Sequence, residues 1–175
     1  MQNIILLGYM GAGKSSVGKV LAKKLETDFY DLDWYIERRF RQKVCDIFAE
    51  RGEEGFRKIE RNMMHEVAEF EDIVLALGGG TPCFFDNMDY LNTRGITIFM
   101  NASPDTIVSH LKISHTVRPL LLQKQGQELL DHITHQLEER MPFYRKAQHI
   151  IDVNCLDSFD KIDTLVDQII ETIKQ

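Results

Sequence analysis

The sequence predicts an α/β protein, a three-layer α/β/α sandwich on a five-stranded parallel sheet. Three observations carry that prediction. Five apolar runs of strand length recur along the chain, separated by segments with helical periodicity. One of them, Ile73-Val74-Leu75-Ala76-Leu77, is continuously apolar, as a parallel strand covered on both faces must be. The first run, Asn3-Ile4-Ile5-Leu6-Leu7, leads through Gly8-Tyr9-Met10-Gly11-Ala12-Gly13-Lys14-Ser15 into a helical segment, which is the strand, turn and helix order of a phosphate-binding loop. At 175 residues, with no linker, repeat or low-complexity tract, residues 1–175 read as one domain.

The elements follow in order. Val17, Val20, Leu21 and Leu25 recur at helical spacing, so a helix runs from Lys14 to about Leu25. Phe29-Tyr30-Asp31-Leu32 is a second strand, with Asp31-Leu32-Asp33 at its C-terminal end, where open α/β sheets bind ligands. If the strand extends that far, Asp31 and Asp33 project to one side; otherwise Asp33 caps the helix that begins at Trp34. From Trp34 to Glu69 the chain is helical and charged, interrupted near Gly52 and Gly55, with core stripes at Ile47-Phe48 and at Phe56, Ile59, Met63 and Val67. Trp34, next to D-x-D, either packs in the core, the favoured expectation, or lines the substrate pocket. The Ile73–Leu77 strand runs into Gly78-Gly79-Gly80, which is either a flexible turn or, as the end of a buried strand and the entropy cost of three glycines favour, a place where a ligand approaches the backbone closely.

Gly95-Ile96-Thr97-Ile98-Phe99-Met100 is the fourth strand. The following helix begins with Ser103 as N-cap and Pro104 at its first position, and ends near Leu111. Residues 112–127 are polar and aperiodic and read as a mobile lid. Leu129, Leu130, Ile133, Leu137 and Met141 define a helix ending at Pro142, and His149-Ile150-Ile151-Asp152-Val153 is the fifth strand. Ser158 then caps a closing amphipathic helix with Ile162, Leu165, Val166, Ile169, Ile170 and Ile173 on one face.

Composition narrows the function. A net charge of −6 argues against a nucleic-acid partner. No run approaches the roughly 20 apolar residues of a membrane span, and no leader segment is expected. Cys45, Cys83 and Cys155 lie far apart with no C-x-x-C pattern, so they read as reduced thiols of a cytoplasmic protein. An acidic protein that binds phosphates must gather its positive charge locally, so the arginines of the site should be few.

The phosphate loop supplies the first set. Gly11, Ala12, Gly13, Ser15 and Ser16 offer backbone N–H groups at a helix N-terminus, Lys14 reaches the β- and γ-phosphates, and the Ser15 hydroxyl takes a Mg²⁺ position. A guanine-recognition N-K-x-D motif is absent, which argues against a switch GTPase, and the chain has little room for the coupling domains of an ATP-driven machine. A chain of this size with a lid suits a small-metabolite kinase, in which closure excludes water from the transferring phosphoryl group. By itself, the pair Arg57 and Glu60, three apart on a helix, reads as a surface ion pair of small value. His132 and His135 read as a solvated helix face, and Cys83 as structural.

A more specific likeness lies in the ordered set Gly8-x-x-Gly11-x-Gly13-Lys14-Ser15, Asp31-Leu32-Asp33, Gly52-Glu53-x-x-Phe56-Arg57-x-x-Glu60, Gly78-Gly79-Gly80, Arg118-Pro119-Leu120-Leu121 and Glu139-Arg140-x-Pro142-x-Tyr144. That set, spanning the first strand to the fifth, resembles shikimate kinase. The resemblance implies a P-loop kinase fold and transfer of the γ-phosphoryl group of ATP to the 3-hydroxyl of shikimate, with Mg²⁺. It implies that Asp31 serves the metal, that Asp33 binds the shikimate hydroxyls, and that Arg57, held by Glu60, and Arg140 clamp the carboxylate. Gly78, Gly79 and Gly80 would meet the substrate through backbone N–H groups, and Arg118 on the lid would reach the phosphates. The helical segment of about 33–61 would bind substrate, and ATP and shikimate would be the partners of a monomer.

The pattern departs from the family in a few places. Where the family often stacks an arginine on adenine, this chain has His110, Leu111 and Lys112, leaving His110 or Lys112 for that contact. Asn154, after the fifth strand, is the candidate hydrogen-bonding residue for the base. Ser16 stands where Thr is common, and no acidic residue ends the third strand, consistent with D-x-D serving the metal. The rivals are a gluconate-type sugar-acid kinase, against which the F-R-x-x-E motif and glycine triplet argue, and a nucleotide-binding regulatory module without catalysis.

Overall fold

The strand β1 (Asn3–Leu7) is buried at every position and lies at the centre of the sheet. The structure is a computed structural model, and it describes residues 1–113, 124–157 and 159–174. Around β1 stand β2 (Asp28–Asp31), β3 (Ile73–Ala76), β4 (Gly95–Asn101) and β5 (His149–Asp152), in the order β2-β3-β1-β4-β5, and every pairing is parallel. The helices are α1 (Lys14–Leu25), α2 (Leu32–Phe40), α3 (Val44–Ala68), α4 (Asn87–Arg94), α5 (Pro104–Ile113), α6 (Gly126–Tyr144) and α7 (Phe159–Ile173). The five-stranded sheet flanked by helices is the architecture expected. Among the described residues no helix is long and apolar enough to cross a membrane.

Burial follows position in the sheet. β1 and β3 are apolar and covered on both faces, whereas the outer strands β2 and β5 are only partly covered, leaving Ile150 exposed. α1 and α7 pack on one another, and α1 also lies on β3. α4 lies on β4, and Tyr144 of α6 meets Phe99 of β4 with ring centroids 5.0 Å apart.

Several boundaries differ from expectation for local physical reasons. β2 ends at Asp31, so Asp31 and Asp33 are not alternate residues of one strand. Asp31, not Asp33, is the N-cap of α2, accepting the Trp34 N–H at 3.3 Å, while Asp33 sits in the first turn. Trp34 is 45% exposed, with Phe29 at its edge and the Lys19 ammonium 4.6 Å from its ring centre, so it is not a core residue. The interruption expected near Gly52 and Gly55 occurs at Gly52, whose φ of 69° and ψ of 178° break α3 into two helical stretches. In α3 Met64 is the fully buried methionine and Met63 only partly so, which widens the apolar stripe by one position.

A short helix, α4, with a 3-10 turn before it at Thr81–Cys83, falls where no periodicity announced one. α6 continues through Pro142 and ends at Tyr144; a proline this close to a helix end removes only one of the last N–H bonds. α5 and α6 also extend into the range 112–127 expected for a lid, whose middle, 114–123, lies outside the described residues. Ser158 lies outside them too. The Ser103 cap is present, its Oγ accepting the Thr106 N–H at 3.3 Å.

Candidate active site

Sheet register assembles the site. Leu6 of β1 pairs with Ala76 of β3, which pairs with Asp31 of β2, so three chain segments leave the sheet side by side at its C-terminal edge. They are the phosphate loop after Leu7, the D-x-D segment after Tyr30 and the glycine triplet after Leu77. The Leu77 N–H donates to Leu6 O at 3.0 Å and keeps the triplet against β1 past the last pair. A crevice beside the central strand of an open parallel sheet is where such folds bind ligands.

The phosphate loop has the curl its sequence predicts. Gly13, at the N-cap of α1, has φ 95°, open to glycine at low cost, and the first turn of α1 holds no acidic residue to oppose an anion. Lys14 is buried, and its Nζ donates to Gly8 O at 2.8 Å and Tyr9 O at 2.9 Å, which holds the ammonium over the loop. Ser15 Oγ donates to Asp31 Oδ2 at 2.6 Å, so the two residues expected to serve a metal meet at the mouth of the loop. Hard oxygen donors beside a phosphate cradle fit Mg²⁺, which keeps several waters and takes few protein ligands. Among the described residues no cluster of three His, Cys, Asp or Glu side chains could hold a metal, and His132 and His135 form none. His135 instead lies 3.4 Å from Glu139 on the exposed face of α6.

The glycine triplet is the point where the other predicted residues converge. A methyl group at Gly78 would lie 3.2 Å from Asp33 Oδ1 and 3.3 Å from Glu60 Oε2. One at Gly79 would lie 3.3 Å from Arg140 Nη1 and 3.2 Å from the Met10 N of the phosphate loop. At Gly80 it would lie 2.6 Å from Arg57 Nη2. The close approach that the sequence demands of these glycines is therefore made by two arginines, two carboxylates and the loop itself.

Arg57 and Glu60 are not a surface pair. Arg57 Nη1 donates to Glu60 Oε1 at 2.8 Å, and Glu60, only 1% exposed, accepts a second hydrogen bond from Thr81 Oγ1 at 2.9 Å. Asn87, also buried, donates to Thr81 O at 2.8 Å, so the chain from Arg57 to α4 is anchored inside the protein. The guanidinium of Arg57 also lies over Phe84, 4.2 Å from its ring centre. Thr81, Asn87 and Phe84 were not anticipated from sequence; a threonine directly after three glycines was the available signal.

Arg140 arrives from α6 and lies over the Tyr9 ring at 5.2 Å. Burial is the largest influence on its charge and opposes it; the other groups that bear on it are Tyr144, Tyr9 and Cys83, none of them anionic at neutral pH. Burial pushes the Cys83 thiol up to about 11, which keeps it protonated, as a structural cysteine should be. Burial likewise raises the Tyr144 phenol, whose O–H donates to Gly79 O at 2.6 Å. Arg57 Nε and Arg140 Nη1 are both buried without a hydrogen-bond partner among the described residues; Glu53 Oε1 stands 3.8 Å from Arg57 Nε, beyond hydrogen-bond reach. Unpartnered charged donors cost about 1–3 kcal/mol or more each, a cost that a bound anion removes.

On the other side of the loop the assignments shift. His110 Nδ1 lies 2.7 Å from Gly11 O, a contact at the ring edge that holds the imidazole against the loop backbone and leaves its faces for stacking. Lys112 is exposed near the end of α5. Asn154 Oδ1 accepts from Ser103 N at 2.7 Å and Thr106 Oγ1 at 2.9 Å, and its Nδ2 donates to Asp152 at 2.9 Å. Its side chain thus ties the segment after β5 to the start of α5. Arg118 lies outside the described residues.

Comparison with known proteins identifies the family. A family model described as shikimate kinase matches residues 10–174. The shikimate kinase of Bacteroides thetaiotaomicron is 49% identical over 174 residues, covering 99% of both chains, and that of Bacteroides fragilis is 50% identical over 169 residues, covering 97% of this chain and 94% of its own. The structure of shikimate kinase from Acinetobacter baumannii in complex with shikimate superimposes with a TM-score of 0.86 at 32% identity, covering 99% of this chain and 93% of that one. With the family match running from the phosphate loop to the last helix and relatives near 50% identical over almost the whole chain, the chain belongs to the shikimate kinase family.

Proposed function

We propose that the protein transfers the γ-phosphoryl group of ATP to the 3-hydroxyl of shikimate, giving shikimate 3-phosphate and ADP. The observation that carries this reading is the pair Arg57 and Arg140, which flank the glycine triplet, each with one buried nitrogen that has no hydrogen-bond partner among the described residues. A small acid bound there places its carboxylate on two arginines, whose planar forks suit carboxylate oxygens, and its hydroxyls toward Asp33. The reacting groups are then brought together by position, which is most of what a loose phosphoryl-transfer transition state requires.

In this reading the backbone N–H groups of Gly11 to Ser16 hold the phosphates. Lys14 leaves the Gly8 and Tyr9 carbonyls for the β- and γ-phosphates, and Arg118, from the segment between α5 and α6, adds a second positive charge. Ser15 and Asp31 would hold Mg²⁺, which supplies charge neutralisation to the phosphate oxygens when bound. Asp33 accepts the hydrogen bond of the attacking hydroxyl and orients it; the transition state asks little more of a base. Asn154 shapes the base side of the site by fastening its loops, and His110 or Lys112 contacts adenine. The protein acts as a cytoplasmic monomer on free ATP and shikimate.

The test is ADP release with Mg²⁺ and, separately, shikimate, quinate or gluconate. Shikimate should support turnover and gluconate should not. Turnover on gluconate alone, or ATP binding with no affinity for shikimate by calorimetry, would overturn the proposal.

A further inference from the structure

Tyr9 occupies a variable position of the phosphate loop, where the cradle needs only backbone, yet its side chain is 1% exposed. Its hydroxyl donates to Gln136 Oε1 at 2.5 Å, across 127 residues of sequence. Its ring lies beneath Arg140, with the guanidinium carbon 5.2 Å from the ring centre. Gln136, Arg140 and Tyr144 are spaced four apart on α6 and so share one face. Tyr144 fixes the far end of that face by donating to Gly79 O at 2.6 Å. Arg140 therefore sits between two anchors, one on the phosphate loop and one on the glycine triplet, and its own Nη1 makes no hydrogen bond among the described residues.

We propose that Tyr9, although part of the nucleotide loop, is a positioning residue for the acid substrate. Its hydroxyl sets α6 through Gln136, and its ring supports the Arg140 guanidinium by a cation–π contact, within the roughly 6 Å over which such contacts act. Nothing in this role touches phosphate. The backbone of Tyr9, which accepts from Lys14 Nζ and from Ala12 N, serves the nucleotide and is left intact by a change in the ring substituent. The inference rests on the reading of Arg140 as a carboxylate clamp.

The experiment is calorimetric titration of shikimate and, separately, of MgATP-γ-S into the parent protein and the variants Tyr9→Phe, Gln136→Met, both together, and Arg140→Gln. Loss of one neutral hydrogen bond that holds the clamp should weaken shikimate binding about three- to tenfold in Tyr9→Phe and in Gln136→Met, with nucleotide affinity within about twofold of the parent. The double variant should lose no more than either single one, because both remove the same bond. If nucleotide affinity falls as much as shikimate affinity, Tyr9 acts through the loop and the inference is overturned. It is equally overturned if Tyr9→Phe and Gln136→Met leave shikimate binding unchanged while Arg140→Gln weakens it. If Arg140→Gln also leaves it unchanged, the carboxylate clamp itself is wrong. Should Tyr9→Phe fail to fold, Gln136→Met tests the same bond from its other end.

Discussion

Gly80→Ala offers a sharp test of the substrate side of the site, because its cost to the fold and its cost to binding separate. Gly80 has φ −89° and ψ −17°, a conformation open to alanine without backbone strain. The new methyl carbon would sit 2.6 Å from Arg57 Nη2, against an ordinary contact of about 3.5 Å, so the guanidinium must retreat by roughly 1 Å. The neighbouring peptide cannot yield easily, because Thr81 next to it is fully buried and bonded to Glu60. The arginine tip can move, at the expense of its 2.8 Å bond to Glu60 and its stacking on Phe84. A charge-assisted hydrogen bond to a bound carboxylate is worth about 1.5–3 kcal/mol, and its misplacement should therefore weaken shikimate binding roughly 10- to 100-fold. Folding should change little, since alanine lowers the unfolded chain's entropy by about 0.4–1 kcal/mol, which offsets part of the lost contact. Calorimetric titration of shikimate and of nucleotide, with a thermal melt, measures all three quantities. Shikimate affinity within twofold of the parent at unchanged Tm would refute the placement of Arg57 as a clamp.

Other expectations follow from the same interior. Thr81→Val keeps the volume but strips the Glu60 carboxylate of a donor, so urea unfolding should show a loss of about 1–3 kcal/mol; a change under 0.5 kcal/mol would mean that water replaces the bond. Thiol alkylation at pH 8 should modify Cys45 and Cys155 quickly and Cys83 slowly, because the first two are exposed while burial pushes Cys83 up to about 11; mass mapping showing equal rates would contradict this. His65 is stacked on Tyr90 at 3.7 Å, its buried Nε2 has no hydrogen-bond partner among the described residues, and burial lowers its pKa. The unfolded chain then takes up this proton before the folded one does. Stability should fall as pH drops through about 6.5, the ordinary value, and level off below the lowered one. His65→Gln should flatten that slope, and an unchanged pH profile of urea midpoints would remove His65 from the account.

The strand order was decided by the fold, yet the central strands β1 and β3 were legible because parallel strands buried on both faces leave near-continuous apolar runs. The phosphate loop was legible for a similar reason: its chemistry depends on backbone geometry, which glycine spacing reports locally. α4 was not, since an eight-residue helix with few buried positions carries too little periodicity. The cap of α2 turned on one residue, because Asp31 and Asp33 are equally good capping types and only the end of β2 distinguishes them.

By itself the sequence determined that a phosphate-binding loop follows the first strand, and its ordered motifs named the residues that meet around the glycine triplet. The tertiary structure decided what those residues are to one another. Arg57 and Glu60, three apart on a helix, have the spacing of an ordinary surface pair, and only the packing of the 3-10 turn and α4 makes Glu60 a buried anchor. Asn154 and His110, polar and near the nucleotide loop in sequence logic, turn out to be bonded to the protein's own backbone and side chains. Tyr9 is an arbitrary residue of a loop motif until α6 lies across it. Local patterns report the chemistry available at a position, whereas burial and long-range partners, which set charge, orientation and dielectric, exist only once the strands have been brought into register.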